Sequence, residues 1–159
     1  MNDSEARAPV LTGGCQCGAV RYALYAVPSG PHICHCRMCQ KAFGSFFAPL
    51  AEVALADIAW TRTEPKRFAS SALVERGFCP ECGTPLTFRY IDRDAIDIAL
   101  GSLDDPSAVV PARQYGVESR VPYFAALHGL PESTTEGDVP PERMAGLKSF
   151  QHPDRDTAD

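Results

Sequence analysis

The chain has 159 residues, of which 45% are hydrophobic and 22% are charged, and its formal net charge is −5. A chain of this length fits one domain with its own hydrophobic core. The acidic balance argues against nucleic-acid binding, which needs a basic face, and no apolar run reaches the ~18 residues of a membrane-spanning helix. The polar N-terminus lacks the apolar stretch of a secretory signal. We therefore expect a cytoplasmic protein with neither a nucleic-acid nor a membrane partner.

In chain order, the predicted elements are short strands separated by turns that contain proline and glycine. In residues 19–25, Val20, Tyr22 and Leu24 alternate with Arg21, which is typical of a half-buried strand. We predict further strands over 43–50, 53–60, 86–91, 95–100 and 113–117, a loop over 28–31, a helical turn over 36–42, a hairpin arm over 67–78, and a turn or helix start over 104–107. The predicted fold class is therefore mainly β, with short helical turns.

Composition divides the chain into three parts. Residues 1–11 are predicted to form a flexible lead-in, residues 12–130 a single domain, and residues 131–159 a flexible tail that contains four prolines. The tail holds seven acidic and three basic side chains, a net charge of −4, so the other 130 residues carry only −1. The nearly neutral domain is therefore compatible with an anionic substrate.

All seven cysteines fall into three tight groups. The groups are Cys15 and Cys17; Cys34, Cys36 and Cys39; and Cys79 and Cys82. An odd number excludes complete pairing into disulfides, and scattered buried thiols would not cluster in this way. Residues i and i+2 of an extended segment point to the same side, so each Cys-x-Cys pair presents two sulfurs in one direction. These spacings are typical of metal ligands.

The seven thiolates divide most simply into a site of four and a site of three. Four cysteines are typical of structural zinc, whereas three protein ligands leave a fourth position for water or substrate, as in catalytic zinc sites. Spacing alone leaves open which groups combine, and we predict that the two pairs join while Cys34, Cys36 and Cys39 form the open site. Zinc is favoured over iron because ferredoxin spacings are absent, and a redox dithiol at Cys79 and Cys82 is the other alternative.

Two cationic side chains lie beside the predicted open site. Arg37 and Lys41 are four residues apart, so on a short helix they would share a face. Placed there, they would bind a carboxylate of an anionic ligand. The alternative is that both are solvated cations on the surface.

Three cysteine motifs in a fixed order carry a family resemblance. Segments 14–22, 34–41 and 77–86 each contain one cysteine group with its neighbours, and segments 101–104 and 118–123 follow them. Together these segments resemble the glutathione-dependent formaldehyde-activating enzyme family, which also includes the domain of centromere protein V.

The resemblance, which covers about residues 12–130, implies a β-tent fold clamped by two zinc ions per chain. It implies a catalytic zinc site at Cys34, Cys36 and Cys39, and a structural zinc site at the four remaining cysteines, which are Cys15, Cys17, Cys79 and Cys82. The family's activity joins glutathione to formaldehyde and is classed as a carbon–sulfur lyase. We therefore expect a zinc-dependent lyase that acts on a small thiol, such as glutathione, and a small carbonyl compound. A homodimer is a further expectation for its oligomeric state. The alternative is a non-catalytic zinc-stabilised module that binds a small thiol or a protein partner.

Overall fold

Short β-strands dominate the computed structural model, which describes residues 7–158. Ten strands occur in this range: Leu11–Gly14 (β1), Arg21–Leu24 (β2), Ser29–Cys34 (β3), Ala48–Ala54 (β4), Ile58–Trp60 (β5), Lys66–Ala69 (β6), Val74–Phe78 (β7), Pro85–Tyr90 (β8), Ala95–Ala99 (β9) and Arg113–Tyr115 (β10). The α-helices are Arg37–Phe43 (α1), Thr135–Asp138 (α2) and Pro141–Met144 (α3), and the 3₁₀ helices are Leu55–Asp57, Leu100–Ser102, Pro106–Ala108, Val117–Ser119 and Phe124–Gly129. None of these helices is long and apolar enough to cross a membrane.

The strands form two sheets. β1, β2 and β5 make a small antiparallel sheet in the order β1-β2-β5. The large sheet has seven strands in the order β10-β3-β4-β9-β8-β7-β6, and among these described strands only β10 and β3 pair in parallel. The mainly β fold class predicted from the sequence is confirmed.

The main hydrophobic core lies between the two sheets. Tyr22 and Leu24 of β2 are fully buried and cluster with Val53 of β4 and Ile98 of β9. Successive residues of a strand point to opposite faces, so the inward packing of Ile98 places its neighbour Asp97 on the other face of the large sheet. That other face carries the candidate site described below.

β2 is buried on both faces, whereas the alternating pattern predicts that Arg21 lies on an open face. Arg21 is only 3% exposed, and its guanidinium donates to the two carboxylate oxygens of Asp104 at 2.7 and 2.6 Å and to Asp156 at 2.5 Å. Burial opposes ionisation of Asp104, but the hydrogen bonds from Arg21 hold the pKa of that carboxyl below its usual range. A buried charge is tolerated when it is paired in this way, which explains the departure from the pattern.

Three predicted elements differ from the structure, and most others occur where expected. β3 already begins within the predicted loop over 28–31, because its pairing with β4 accommodates an irregularity there. The predicted strand over 43–50 starts too early, because α1 continues to Phe43 and β4 begins only at Ala48. Gly44 caps the helix with a φ of 59°, a conformation that suits glycine. The predicted strand over 53–60 is divided, since β4 ends at Ala54, a 3₁₀ helix spans Leu55–Asp57, and β5 covers Ile58–Trp60. The other predictions match as follows: 19–25 with β2, 36–42 with α1, 67–78 with the β6–β7 hairpin, 86–91 with β8, 95–100 with β9, 104–107 with the start of the 3₁₀ helix Pro106–Ala108, and 113–117 with β10.

The segment predicted to be a flexible tail, residues 131–159, makes contacts with the rest of the chain. The backbone amide of His152 donates to the carbonyl of Gln16 at 2.7 Å. The division of the chain into lead-in, domain and tail stays a prediction, and residues 1–6 of the predicted lead-in lie outside the described residues.

Candidate metal centres

Four cysteines gather where two strand connections meet. Cys15 and Cys17 lie between β1 and β2, Cys79 and Cys82 lie between β7 and β8, and their sulfurs all lie within 4.8 Å of one another. The sulfurs of Cys15 and Cys17 are 3.5 Å apart, and those of Cys17 and Cys79 are 3.8 Å apart. The two cysteine pairs therefore form one spatial cluster, as predicted, which we call the four-cysteine cluster.

Two similar tight turns present these sulfurs. In one turn, the amide of Gly83 donates to the carbonyl of Cys79 at 2.9 Å, and the amide of Cys79 donates to the carbonyl of Thr84 at 2.9 Å. In the other, the amide of Gly18 donates to the carbonyl of Cys15 at 3.1 Å. Both glycines have a φ of 79°, a conformation that is strained for any residue with a Cβ. The glycine that follows each cysteine pair thus lets the chain turn immediately after the ligands.

The thiols of the four-cysteine cluster differ in their tendency to ionise. Burial raises the pKa of Cys15 to about 12. Burial acts in the same direction on Cys82, but hydrogen bonds from Thr84 and contact with Cys17 lower its pKa to about 6. Four sulfur donors in one group fit a closed tetrahedral zinc site. Because zinc binds thiolates, its binding here would release the remaining thiol protons.

The other three cysteines gather at the start of α1. Cys34 is the last residue of β3, Cys36 caps the N-terminus of α1, and Cys39 lies in the first turn of that helix. Their sulfurs also lie within 4.8 Å of one another. The amide of Cys39 donates to the sulfur of Cys36 at 3.4 Å, so the helix cap itself fixes two of the ligand positions. We call this group the three-cysteine cluster.

The donor set of the three-cysteine cluster fits zinc with one position left over. Zinc in proteins prefers four ligands, and thiolate sulfur is among the common ones. Within residues 7–158, no histidine, carboxylate or further cysteine joins these three sulfurs within the same 4.8 Å. His35, which lies between two of the cysteines in sequence, is fully buried and uses Nε2 in a 2.9 Å hydrogen bond with Oε1 of Gln114. The described residues thus offer three sulfur donors here, which equals the number of protein ligands in many catalytic zinc sites.

The three-cysteine cluster lines a cavity of about 440 Å³, on the face of the large sheet that carries Asp97. Cavities of this size bind small molecules in many proteins. Its walls combine aromatic and charged side chains, which include Glu52, Phe88, Arg93, Asp97, Arg113 and Tyr115. The cluster is therefore accessible to a small ligand that has both polar and apolar groups.

The cations predicted to bind a carboxylate lie outside the lining of this cavity. Arg37 and Lys41 are exposed on α1, and Arg37 donates to the side chain of Gln40. The cationic side chains that line the cavity include Arg93 and Arg113. The anion-binding role of Arg37 and Lys41 stays a prediction.

Sequence reasoning missed a buried arginine beside the three-cysteine cluster. Arg76 is 2% exposed, and its Nη2 donates to the sulfur of Cys39 at 3.3 Å. Contact with Cys34 and burial raise the pKa of the Cys39 thiol, and Arg76 acts in the opposite direction. The sequence did contain one signal for its burial. Arg76 lies two residues after the apolar Val74, so in a strand both side chains belong to the same face, and both are buried in β7.

A second missed group is the carboxyl of Asp97, which lies opposite Glu52 in the pairing of β4 with β9. Burial raises the pKa of Asp97 to about 6, and the charge of Glu52 acts in the same direction. His32 and Arg93 partly offset this rise. The cavity therefore contains a carboxyl group whose charge changes near neutral pH.

Replacing Asp97 with asparagine is expected to stabilise the zinc-loaded chain above pH 6. Folding raises the pKa of this carboxyl from 3.8 to about 6. Its stabilising contribution is therefore complete below pH 3.8 and is lost as the pH rises through 6. This pKa shift limits the resulting loss of unfolding free energy to about 3 kcal/mol.

Urea unfolding of both proteins between about pH 4 and about pH 8 measures this difference, because the cysteines contribute equally to both. We expect the free energy of unfolding of the variant to exceed that of the wild type increasingly toward the upper pH. Parallel curves for the two proteins would show that Asp97 ionises normally.

Known proteins resemble this chain in sequence and in fold. The family model of the glutathione-dependent formaldehyde-activating enzyme matches residues 10–119. An uncharacterized lyase of Schizosaccharomyces pombe is 33% identical over 84 residues, which are 52% of this chain and 59% of that protein. A crystal structure of a Rhodobacter sphaeroides protein has the same fold, with a TM-score of 0.53 at 20% identity over 65% of this chain and 99% of that chain. Because the family model spans more than half of the sequence, this chain belongs to the glutathione-dependent formaldehyde-activating enzyme family.

Proposed function

We propose that this chain is a zinc-dependent enzyme of the carbon–sulfur lyase type, which joins glutathione or a similar thiol to formaldehyde or another small carbonyl compound. The three-cysteine cluster in the wall of a cavity is the observation that carries the proposal. A closed structural site would use a fourth protein ligand, and none joins this cluster within residues 7–158. The family description and the relative that is named a lyase support the same class of reaction.

The proposed reaction is an addition that needs no oxidant or reductant. The sulfur of the thiol forms a bond to the carbonyl carbon, the carbon–oxygen π bond breaks, and the thiol proton ends on the oxygen. The product is a hemithioacetal, and the reverse reaction cleaves the carbon–sulfur bond. Cys34, Cys36 and Cys39 would hold the zinc ion, which supplies a Lewis acid that favours the thiolate form of a thiol.

The side chains of the cavity would hold the two reactants together. Phe88 and Tyr115 supply aromatic walls, and the guanidinium of Arg113 lies 4.5 Å from the centre of the Tyr115 ring. In this position Arg113 would bind a carboxylate of a glutathione-like thiol through paired hydrogen bonds. Holding both reactants in one cavity makes a bimolecular addition effectively unimolecular.

Consumption of free formaldehyde in the presence of glutathione tests the proposal, with the protein-free mixture giving the spontaneous rate. The zinc-loaded chain is expected to exceed this rate, and to do so less with 2-mercaptoethanol, a thiol without a carboxylate. A chain that holds zinc in both clusters but gives only the spontaneous rate with several thiols and aldehydes would contradict catalysis. That result would favour a non-catalytic module that binds a small thiol or a protein.

Three further features belong to the same proposal: two zinc ions per chain, a cytoplasmic location and a homodimer. Metal analysis, cell fractionation and sedimentation equilibrium test them in turn.

A further inference from the structure

We propose that Arg76 is a positioning residue of the three-cysteine cluster, whose buried guanidinium fixes the sulfur of Cys39 and offsets the negative charge of the metal-bound cluster. This inference rests on the proposed function, because it requires the cluster to hold zinc. It concerns a side chain outside the three ligands themselves.

The guanidinium of Arg76 is held on several sides. Nη2 donates to the sulfur of Cys39 at 3.3 Å, Nε donates to Oγ of Ser70 at 2.9 Å, and the ring of Phe88 lies 4.9 Å away. Nη1 is buried and has no hydrogen-bond partner within residues 7–158. These contacts fix the side chain against Cys39 while leaving part of its hydrogen-bonding capacity unused.

The surroundings of Arg76 lack the counter-charge that a buried arginine needs. Buried arginines are normally paired with a carboxylate. Arg21, which is equally buried, has Asp104 and Asp156, whereas no ion pair involves Arg76 in the described part of the chain. Its hydroxyl and aromatic partners are neutral, so among its partners in residues 7–158 only the hydrogen-bonded sulfur of Cys39 can carry a negative charge. The guanidinium is therefore suited to a thiolate at this position.

Charge counting shows what Arg76 would do for the loaded cluster. Three thiolates and one Zn²⁺ sum to −1, and the guanidinium brings the total to zero. A neutral cluster repels an incoming anionic thiol less than a cluster with a net negative charge. β7 fixes the placement, since it carries Arg76 to one cluster and leads directly to Cys79 of the other. Groups that support metal ligands in this way typically change metal affinity or activity by about 10–100-fold.

The test compares Arg76→Gln, which removes the charge, with Arg76→Lys, which keeps it, and with Arg89→Gln as a matched control. Arg89 lies on the neighbouring β8, is partly buried, and pairs with Glu75 rather than with a cysteine. Release of zinc to a coloured chelator is followed in each protein, and the phase that Cys36→Ser lacks is assigned to the three-cysteine cluster. We expect Arg76→Gln to accelerate that phase by about 10–100-fold and to leave the other phase unchanged. Arg76→Lys, which keeps the charge but not the guanidinium contacts, should accelerate that phase less than Arg76→Gln does, and Arg89→Gln should behave as the wild type.

The outcomes separate this inference from the proposed function. A wild-type chain without zinc in the three-cysteine cluster would overturn both. Wild-type release from Arg76→Gln, with two zinc ions bound, would overturn the role of Arg76 alone. If Arg76→Gln does not fold, the Co²⁺ form of Arg76→Lys provides the measurement. Its sulfur-to-cobalt charge-transfer band should move relative to the wild type and to Arg89→Lys, and an unmoved band would overturn the inference.

Discussion

Replacing Cys79 with serine is expected to prevent the chain from folding. Cys79 is fully buried and packs with Val20 and Leu86, so the four-cysteine cluster is part of a hydrophobic cluster between strand connections. If zinc joins the two connections, losing one ligand removes a cross-link between segments that are more than 60 residues apart in the chain. Structural zinc contributes directly to the free energy of folding, on the order of 10 kcal/mol, which exceeds or equals the net stability of most domains of this size.

Far-UV circular dichroism, thermal unfolding and zinc content of the purified Cys79→Ser protein measure this effect. We expect loss of the cooperative transition and of bound zinc, as in a wild-type chain treated with a strong chelator. The matched control is Cys36→Ser, the same substitution in the other cluster. A Cys79→Ser protein with a wild-type transition and two zinc ions would rule out a structural role for the four-cysteine cluster.

Replacing Cys36 with serine is expected to abolish activity and remove one zinc ion while the fold remains. Cys36 caps α1 by accepting a hydrogen bond from the amide of Cys39. Serine is a favoured N-cap residue, so its hydroxyl can replace the sulfur in that hydrogen bond. A hydroxyl is a poor zinc ligand, however, and two cysteines alone do not form a stable zinc site. The substitution is therefore expected to remove the zinc ion while preserving the cap of α1.

Zinc per chain, melting temperature and formaldehyde consumption with glutathione measure the effect of Cys36→Ser. The zinc content should fall from two ions to one, the rate should fall to the spontaneous value, and the melting transition should stay cooperative. Catalysis at the wild-type rate would contradict the assignment of the reaction to this cluster. Unfolding of Cys36→Ser together with a folded Cys79→Ser would reverse the roles of the two clusters.

Local spacing made the cysteine groups and most strands predictable from the sequence. The close spacing within each cysteine group and the apolar alternation in segments such as 86–91 are properties of a few neighbouring residues. The helical turn predicted over 36–42 likewise depends on a short segment, and α1 occurs there. Counting ligands joined the two cysteine pairs into one predicted site, and the family resemblance implied the same grouping. In the structure the sulfurs of these four cysteines lie within 4.8 Å of one another.

Contacts between distant residues account for what the sequence pattern missed. Arg21 can be buried because its guanidinium pairs with Asp104, a residue 83 positions away in sequence that a local pattern does not connect with it. Arg76 contacts Cys39, which is 37 residues earlier in the chain. Asp97 meets Glu52 only because β9 pairs with β4. The alternation of polar and apolar residues predicts which face of a strand is polar. It does not predict which polar side chains are covered by residues that are distant in sequence.

The central claim is that Cys34, Cys36 and Cys39 hold a zinc ion whose fourth ligand comes from outside the protein. A crystal structure of the zinc-loaded chain, with anomalous data collected on both sides of the zinc absorption edge, tests this claim most directly. We expect zinc in both clusters, with three sulfurs at about 2.3 Å and a water molecule or small thiol completing the coordination at the three-cysteine cluster. Absence of zinc from that cluster, or a protein side chain as its fourth ligand, would contradict the account.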